Sequence, residues 1–180
     1  MKIAYLSTFY PFRGGIAQFN ASLYREFEKE HEIKSYTFKR QYPGFLFPGK
    51  SQYVSDEDNA VLINSEQVLD TINPLSYMSA ANAIKMYSPD LLLMKYWMPF
   101  FAPSLGFVAK SLKKSGTKII SILDNVIPHE KRPGDIALTK YFLKRNDGFI
   151  VMSEAVKNNL LSLKSDAVYS MHLHPLFDHF

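Results

Sequence analysis

Short apolar runs alternate with helix-like segments along most of the 180 residues. In the run at positions 91–94 every residue is apolar, which is typical of a parallel strand covered on both faces. Elsewhere apolar residues recur three or four positions apart, as Ile16, Phe19, Leu23 and Phe27 do, and this spacing predicts an amphipathic helix. Because strands and helices alternate, the sequence predicts an α/β fold with an open, doubly wound, mostly parallel, Rossmann-like sheet.

The predicted strands cover residues 3–6, 33–38, a short stretch within 61–70, 91–94, 118–123, 148–152 and 167–171. Two helix packing faces are predicted: Leu75, Met78, Ala81 and Ile84 after the helix start at Asn73-Pro74, and Phe101, Leu105, Val108 and Leu112 on the next helix. Parallel strands end at one edge of their sheet, so the loops after Leu6, Met94, Leu123 and Met152 should lie together where ligands bind.

Composition excludes several classes of protein. A chain of this length fits one domain, and the absence of cysteine excludes disulfides and thiolate metal sites and fits a reducing compartment. No apolar run approaches the ~18 residues that a membrane span needs. Residues 1–6 are predicted to be a first strand and not a signal peptide, so we expect a cytoplasmic protein.

The stretch at 7–16 joins the first predicted strand to the first helix and contains the pair Gly14 and Gly15. A helix start has unpaired backbone N–H groups and the positive end of the helix dipole, so it suits an anion. Glycine has no Cβ and lets the backbone come close to such a ligand. The pair therefore indicates a diphosphate contact, with a turn that merely requires glycine as the alternative.

Residues 44–51 match the P-loop pattern of nucleotide-binding proteins. Pro48 removes one of the N–H groups that would cradle phosphates, large apolar residues fill the intended cradle, and no helical periodicity follows Ser51. These features disfavour a nucleotide-phosphate loop at this position.

A dinucleotide site is also not indicated. Its glycine fingerprint should begin at the end of the first strand, but this chain has a single glycine pair eight residues after Leu6. The second predicted strand is followed by Lys39 and Arg40, where that site needs an acidic residue.

Three histidines near the C-terminus, His172, His174 and His179, lie beside Asp178. Their spacing is a poor guide to a closed metal site. We expect surface histidines there, and we expect neither a metal ion nor another cofactor.

Segments spread over nearly the whole chain resemble the N-terminal domain of GT-B fold glycosyltransferases, specifically the family 4, group 1, retaining type. These segments are 14–20, 39–43 with 47–50, 95–99, 124–130 and 147–153, and they keep the family's order. The resemblance also identifies residues 44–51 as a family loop. It implies an enzyme that moves a sugar from a nucleotide-sugar donor to a glycan or lipid-linked acceptor, the donor being a substrate and not a cofactor.

The resemblance implies that this chain is half of such an enzyme. Residues 1–174 would form the acceptor-side domain and 175–180 the start of an interdomain linker. A C-terminal domain that holds most of the nucleotide, and carries the family's acidic motif, has no counterpart in the chain. The isolated chain is therefore expected to fold without transferring sugar.

Site residues follow from the same resemblance. The backbone at Gly14, Gly15 and Ile16 would approach the donor diphosphate. Asp124 and His129 are the catalytic candidates, although related sequences commonly carry a histidine where Asp124 stands.

That departure leaves His129 as the nearer candidate for a polar contact with donor sugar or acceptor, the alternative being that it caps a turn. Trp97, Asn125 and Glu130 are expected to line the acceptor cleft.

Basic and aromatic residues mix in the segment 39–50, whose predicted contact residues are Lys39, Arg40, Phe45, Phe47 and Lys50. Basic residues attract anionic head groups, and aromatic rings settle at membrane interfaces. This segment is predicted to rest on the inner face of a membrane or to line the acceptor channel, unless it folds back as a small satellite core. No nucleic-acid partner is expected, because the positive charge is spread over several helices.

Two other classes of function remain open. One is a non-catalytic Rossmann-like binding module that kept the fold without the chemistry. The other, third in order, is a P-loop phosphate enzyme built on residues 44–51.

Overall fold

The computed structural model describes residues 1–44, 51–55, 61–128, 130 and 132–172. The strands are β1 (Lys2–Leu6), β2 (Glu32–Arg40), β3 (Glu66–Asp70), β4 (Leu91–Tyr96), β5 (Lys118–Leu123), β6 (Gly148–Val151) and β7 (Tyr169–Met171). The helices are α1 (Gly15–Phe27), α2 (Pro74–Tyr87), α3 (Ala102–Lys113, after a 3-10 turn at Pro99–Phe101), α4 (Asp135–Leu143) and α5 (Glu154–Leu163).

The seven strands form one sheet in the order β3-β2-β1-β4-β5-β6-β7, and every pair is parallel. The predicted Rossmann-like α/β fold is therefore confirmed. The strand order reverses at β1, which pairs with β2 on one side and β4 on the other. In sheets of this type ligands bind outside the carboxyl ends of the strands at that reversal.

Strand alternation sends side chains to two separate cores. Ile3, Tyr5 and Leu93 pack with Phe19 of α1 on one face of the sheet. The other face packs against the remaining helices, for example against Ala81 of α2, Leu105 of α3, Phe142 of α4 and Leu160 of α5. Helix α1 is therefore on the opposite side of the sheet from α2 to α5, as a doubly wound fold requires.

The packing face of α2 differs from the prediction. The helix starts where predicted, with the Asn73 side chain accepting a hydrogen bond from the Leu75 amide at 3.1 Å. Leu75 is 81% exposed and Met78 57% exposed, so both assignments to the core were wrong. The buried stripe runs through Tyr77, Ala80, Ala81 and Ile84, because small alanines let α2 approach the sheet and α3 closely. On α3 the predicted face is confirmed, since Phe101, Leu105, Val108 and Leu112 are fully buried.

Strand β2 is longer than predicted. It continues through Lys39 and Arg40, which the sequence predicts to lie in the following loop, because β3 pairs alongside and Arg40 lies opposite Asp70. Arg40 Nη2 is 2.9 Å from Asp70 Oδ2. These two basic residues are therefore exposed positions on a strand, while Phe45, Phe47 and Lys50 lie outside the described residues.

We expect the protein to lose stability above pH 10. Burial raises the pKa of seven tyrosines in the described ranges: Tyr5, Tyr24, Tyr36, Tyr42, Tyr77, Tyr96 and Tyr87, the last to about 12. A tyrosine that stays neutral in the folded state stabilises it fully below the ordinary pKa of about 10, and this contribution is lost as pH rises through the folded pKa. Urea midpoints should fall steeply between pH 9.5 and 11.5, and a flat profile across that window would contradict the assignment.

Candidate functional site

The site is built where β1 ends and α1 begins, at the reversal of strand order. Helix α1 starts with Gly14 at the N-cap and Gly15 at its first position, and no side chain caps it. The amides of Gly15, Ile16 and Ala17 have no hydrogen-bond acceptor among the described residues, and the first bonded amide is that of Gln18, to Gly14 O at 3.2 Å. These three N–H groups form an anion-binding geometry at the positive end of the helix.

The space beside the glycine pair is open. Both glycines are exposed, and a Cβ built on either of them would meet no atom within 4 Å. Gly14 has φ +108°, which side chains other than glycine rarely adopt, whereas Gly15 is helical. Glycine is therefore required by the backbone only at Gly14, and at Gly15 it leaves room outside the protein.

Two alanine substitutions separate these roles. Gly14→Ala should cost about 1–3 kcal/mol of unfolding free energy, because it forces a side chain into a strained conformation. Gly15→Ala should leave stability unchanged or slightly raised, since alanine is the better helix former, yet weaken diphosphate binding because its Cβ enters the open space. Urea denaturation and diphosphate titration of both variants measure this, and unimpaired binding by Gly15→Ala would contradict the contact.

A buried hydrogen-bond network fixes the loop that carries the glycines. The Asn20 side chain, fully buried in α1, donates to Ser7 Oγ and to Thr8 O, both at 2.8 Å. The Tyr5 hydroxyl donates to Asn20 Oδ1 at 2.6 Å. The start of the loop is thereby tied to both β1 and α1, so the direction of the free amides is set in advance of any ligand.

A buried ion pair lies on the same face of the sheet. Lys95, near the end of β4, is 1% exposed, and its Nζ is 2.7 Å from Asp124 Oδ1 and 3.7 Å from the centre of the Phe19 ring. Asp124 follows β5 directly and its side chain is 24% exposed. The pair therefore joins the ends of two neighbouring strands to α1, with the ammonium sealed and the carboxylate partly in contact with solvent.

The pKa shifts around the pair follow from burial. Burial lowers the pKa of Lys95 below its ordinary value, and the Asp124 carboxylate partly opposes this. Burial, and then the charge of Asp124, raises the pKa of Tyr5 well above its ordinary value. Tyr5 is therefore a neutral donor at physiological pH, and Asp124 is the group that favours the charged form of Lys95.

Trp97 lies at the end of β4 on the other face of the sheet, in an aromatic cluster. Its Nε1 donates to the Tyr42 hydroxyl at 2.8 Å, and its ring centre is 4.2 Å from that of Phe101. Edge-on contacts run from Trp97 to Phe38 and from Phe38 to Phe12 of the glycine loop. Packed rings thus connect Trp97 to the glycine loop. The Trp97 Nε1–H group is already hydrogen-bonded within the protein.

Residues 51–55 return to the glycine loop. The Arg13 amide donates to Gln52 O at 3.0 Å and the Val54 amide to Pro11 O at 2.9 Å. The rings of Phe12 and Tyr53 stack with centres 5.4 Å apart. Residues 51–55 therefore pack against the glycine loop of the candidate site. The sequence did not indicate this contact.

The remaining predicted site residues are placed as follows. Ile16 is half-buried at the helix start, and Asn125 is half-buried beside Asp124. Glu130 is exposed, and His129 lies outside the described residues. The described parts of the chain contain no group of acidic, histidine or cysteine side chains that could hold a metal ion.

Lys95 and Asn20 received no role from the sequence. The available signal was Lys95 itself, a single cation in an otherwise apolar strand, because a buried lysine needs a partner. Asn20 carried no comparable signal, since an asparagine on a helix is usually exposed.

Comparison with known proteins supports the fold. No family model and no curated protein matches the sequence. A solved structure of an alpha-glucosyltransferase in complex with UDP-glucose and DNA containing an abasic site matches with a TM-score of 0.57 and 13% identity. The match covers 96% of this chain and 42% of that one, so the chain spans about two fifths of its length. The chain therefore has the fold of a GT-B glycosyltransferase domain.

Among the helices that the structure describes, none combines the length and apolar character needed to cross a bilayer.

Proposed function

We propose that the chain is the acceptor-side domain of a retaining glycosyltransferase, which moves a sugar from a nucleotide-sugar donor to a glycan or lipid-linked acceptor. The observation that carries the proposal is the row of three unbonded amides at the start of α1, beside open space at the reversal of strand order. Their fixed N–H groups match the diphosphate of such a donor. The shared fold with a glucosyltransferase supports the same assignment.

The chemistry needs this arrangement because breaking the bond between sugar and phosphate leaves negative charge on the departing diphosphate. Donors that are fixed before the reaction stabilise that charge where it develops. The network around Asn20 holds the loop, so little reorganisation is needed. In this proposal the amides of Gly15, Ile16 and Ala17 contact the diphosphate.

Lys95 offsets the negative charge that Asp124 places near the proposed diphosphate contact. A carboxylate beside a diphosphate would repel it, but the ion pair at 2.7 Å neutralises Asp124 from the buried side. The exposed side of the carboxylate then remains available to accept a hydrogen bond from a sugar or acceptor hydroxyl. We assign Asp124 this contact and propose His129 as its neighbour at the acceptor, with Trp97, Asn125 and Glu130 near the acceptor cleft.

The donor nucleotide is proposed to bind mainly to a further domain, since this chain spans 42% of the matched glucosyltransferase. We expect the isolated chain to fold cooperatively and to release no nucleoside diphosphate from a panel of nucleotide sugars. Coupled assays of diphosphate release measure this. Robust turnover by these 180 residues alone would overturn the proposal that they are half of an enzyme.

Membrane contact at the inner face of a bilayer is proposed for the segment 39–50. Lys39 supports it as an exposed cation at the end of β2, whereas the charge of the neighbouring Arg40 is paired with Asp70. The triple variant Phe45→Ser, Phe47→Ser, Lys50→Glu should lose binding to anionic liposomes. Unchanged binding would contradict the membrane contact and leave the acceptor channel or a folded-back satellite core as the role of this segment.

A further inference from the structure

A basic groove lies between the carboxyl ends of α3 and α4, at the end of the sheet opposite the glycine loop. It has a volume of 340 Å³ and is lined by Lys110, Lys113, Lys114, Lys144 and Arg145. The first three residues belong to the end of α3 and the other two follow α4. These charges belong to separate helices in the sequence, and the fold brings them around one groove.

Charge is strongly unbalanced at this groove. Lys118 also lies close enough to lower the pKa of Asp147, and Asp147 pairs with Lys113 at 2.6 Å. Within the described part of the chain, Lys110, Lys114 and Lys144 form no ion pair. Five cations thus line the groove beside the carboxylate of Asp147, a net charge of +4, which equals the net charge of the whole chain. The groove therefore accounts for the entire positive excess of the protein.

Stabilisation of helix ends does not explain so many cations. A helix carboxyl end carries about half a negative charge, so two such ends and Asp147 offset about two of the five positive charges. The surplus repels itself and destabilises the fold unless an anion neutralises it. Clustering of this kind therefore indicates a ligand with more than one negative charge.

One wall of the groove is rigid. The guanidinium of Arg145 stacks on the Tyr141 ring at 3.5 Å, and its Nη1 donates to Tyr141 O. Arg145 Nε is buried and has no hydrogen-bond partner among the described residues. The lysines around it are exposed, and their ammonium groups can adjust to phosphates as mobile point charges.

We propose that this groove binds a small molecule that carries two or more phosphate groups. Its volume lies within the range of ligand pockets, about 300–1,000 Å³, and the planar guanidinium of Arg145, held against the Tyr141 ring, is a donor suited to phosphate. The position at the amino ends of the strands separates it from the glycine loop at the carboxyl ends. Binding there is independent of the proposed donor site.

Tripolyphosphate titrated into the full chain tests the proposal, with amide NMR shifts and calorimetry as readouts. We expect shifts at the ends of α3 and α4. The variant Lys110→Gln/Lys144→Gln should bind at least tenfold more weakly. The control Arg25→Gln/Lys29→Gln removes the same charge from exposed positions on and just after α1 and should change affinity less than twofold.

Three results would overturn the proposal. Equal weakening in the two double variants would show unspecific attraction, and shifts confined to residues 14–17 would assign the ligand to the glycine loop. Binding of phosphatidylglycerol vesicles, lost in Lys110→Gln/Lys144→Gln, without binding of tripolyphosphate would show a membrane surface instead. Mapping on the unaltered chain keeps the test valid if a variant folds poorly.

Discussion

Asp124→Ala should destabilise the fold by about 3–5 kcal/mol, because it leaves the Lys95 ammonium buried without a counter-charge. Lys95→Met should cost only about 1–2 kcal/mol, mainly the lost attraction between the ammonium and the Phe19 ring. The asymmetry follows from exposure: Lys95 is 1% exposed, whereas the Asp124 side chain is 24% exposed and can be hydrated when its partner is removed.

Urea denaturation of both single variants and of the double variant Lys95→Met/Asp124→Ala measures this difference. The double variant should be more stable than Asp124→Ala, because no unpaired charge remains buried. Equal costs for the two single variants, or a larger cost for Lys95→Met, would contradict the geometry of the pair.

The pH dependence supplies a second signature of the same pair. Burial already lowers the pKa of Lys95, and without Asp124 this pKa falls further. The unfolded chain then binds more protons than the folded one between that lowered pKa and the ordinary value of about 10.4, so stability rises with pH across this window. Between pH 7 and 9, Asp124→Ala should gain more stability than the unaltered protein, up to about 1.4 kcal/mol per pH unit. The double variant should show no such gain.

Asn20→Ala is the second large effect that we expect. The substitution removes the partner of the Tyr5 hydroxyl, of Ser7 Oγ and of Thr8 O, all of them in buried residues. Each buried polar group left without a partner costs about 1–3 kcal/mol, so the total should be several times the effect of an ordinary surface substitution. The same bonds orient the glycine loop. The affinity for diphosphate should therefore fall even under conditions in which the variant is fully folded.

A matched control is Asn82→Ala, which removes the same side chain from an exposed position of α2. Alanine favours the helix, so this variant should be as stable as the unaltered protein or slightly more stable. Thermal denaturation and diphosphate titration compare the two variants. Similar stability of Asn20→Ala and Asn82→Ala would show that the network does not hold the loop.

The sequence predicted the fold because its signals are periodic. The apolar runs and helical spacings of the sequence correspond to the observed strands and helices, including the fully buried face of α3. The errors occur where packing against a neighbouring element, and not spacing along the chain, determines which residues are buried or paired. Leu75 and Met78 have the right spacing but face solvent, because the alanines of α2 pack more closely. Arg40 belongs to a strand because Asp70 of β3 lies opposite.

The site was predictable only where local sequence determines its geometry. A strand-to-helix junction with two glycines is visible in the sequence, and its open geometry follows from local backbone chemistry. The pairing of Lys95 with Asp124 joins two strands 29 positions apart in the chain and depends on the register of β4 and β5. The convergence of Lys110, Lys144 and Arg145 likewise depends on how α3 and α4 end side by side.

Amide NMR during a pyrophosphate titration tests the proposed diphosphate contact directly when it uses the Lys110→Gln/Lys144→Gln variant, in which the basic groove is weakened. We expect the largest shifts at the amides of Gly15, Ile16 and Ala17, and we expect Gly15→Ala to reduce them. Saturating pyrophosphate that leaves these three amides unmoved would contradict the contact.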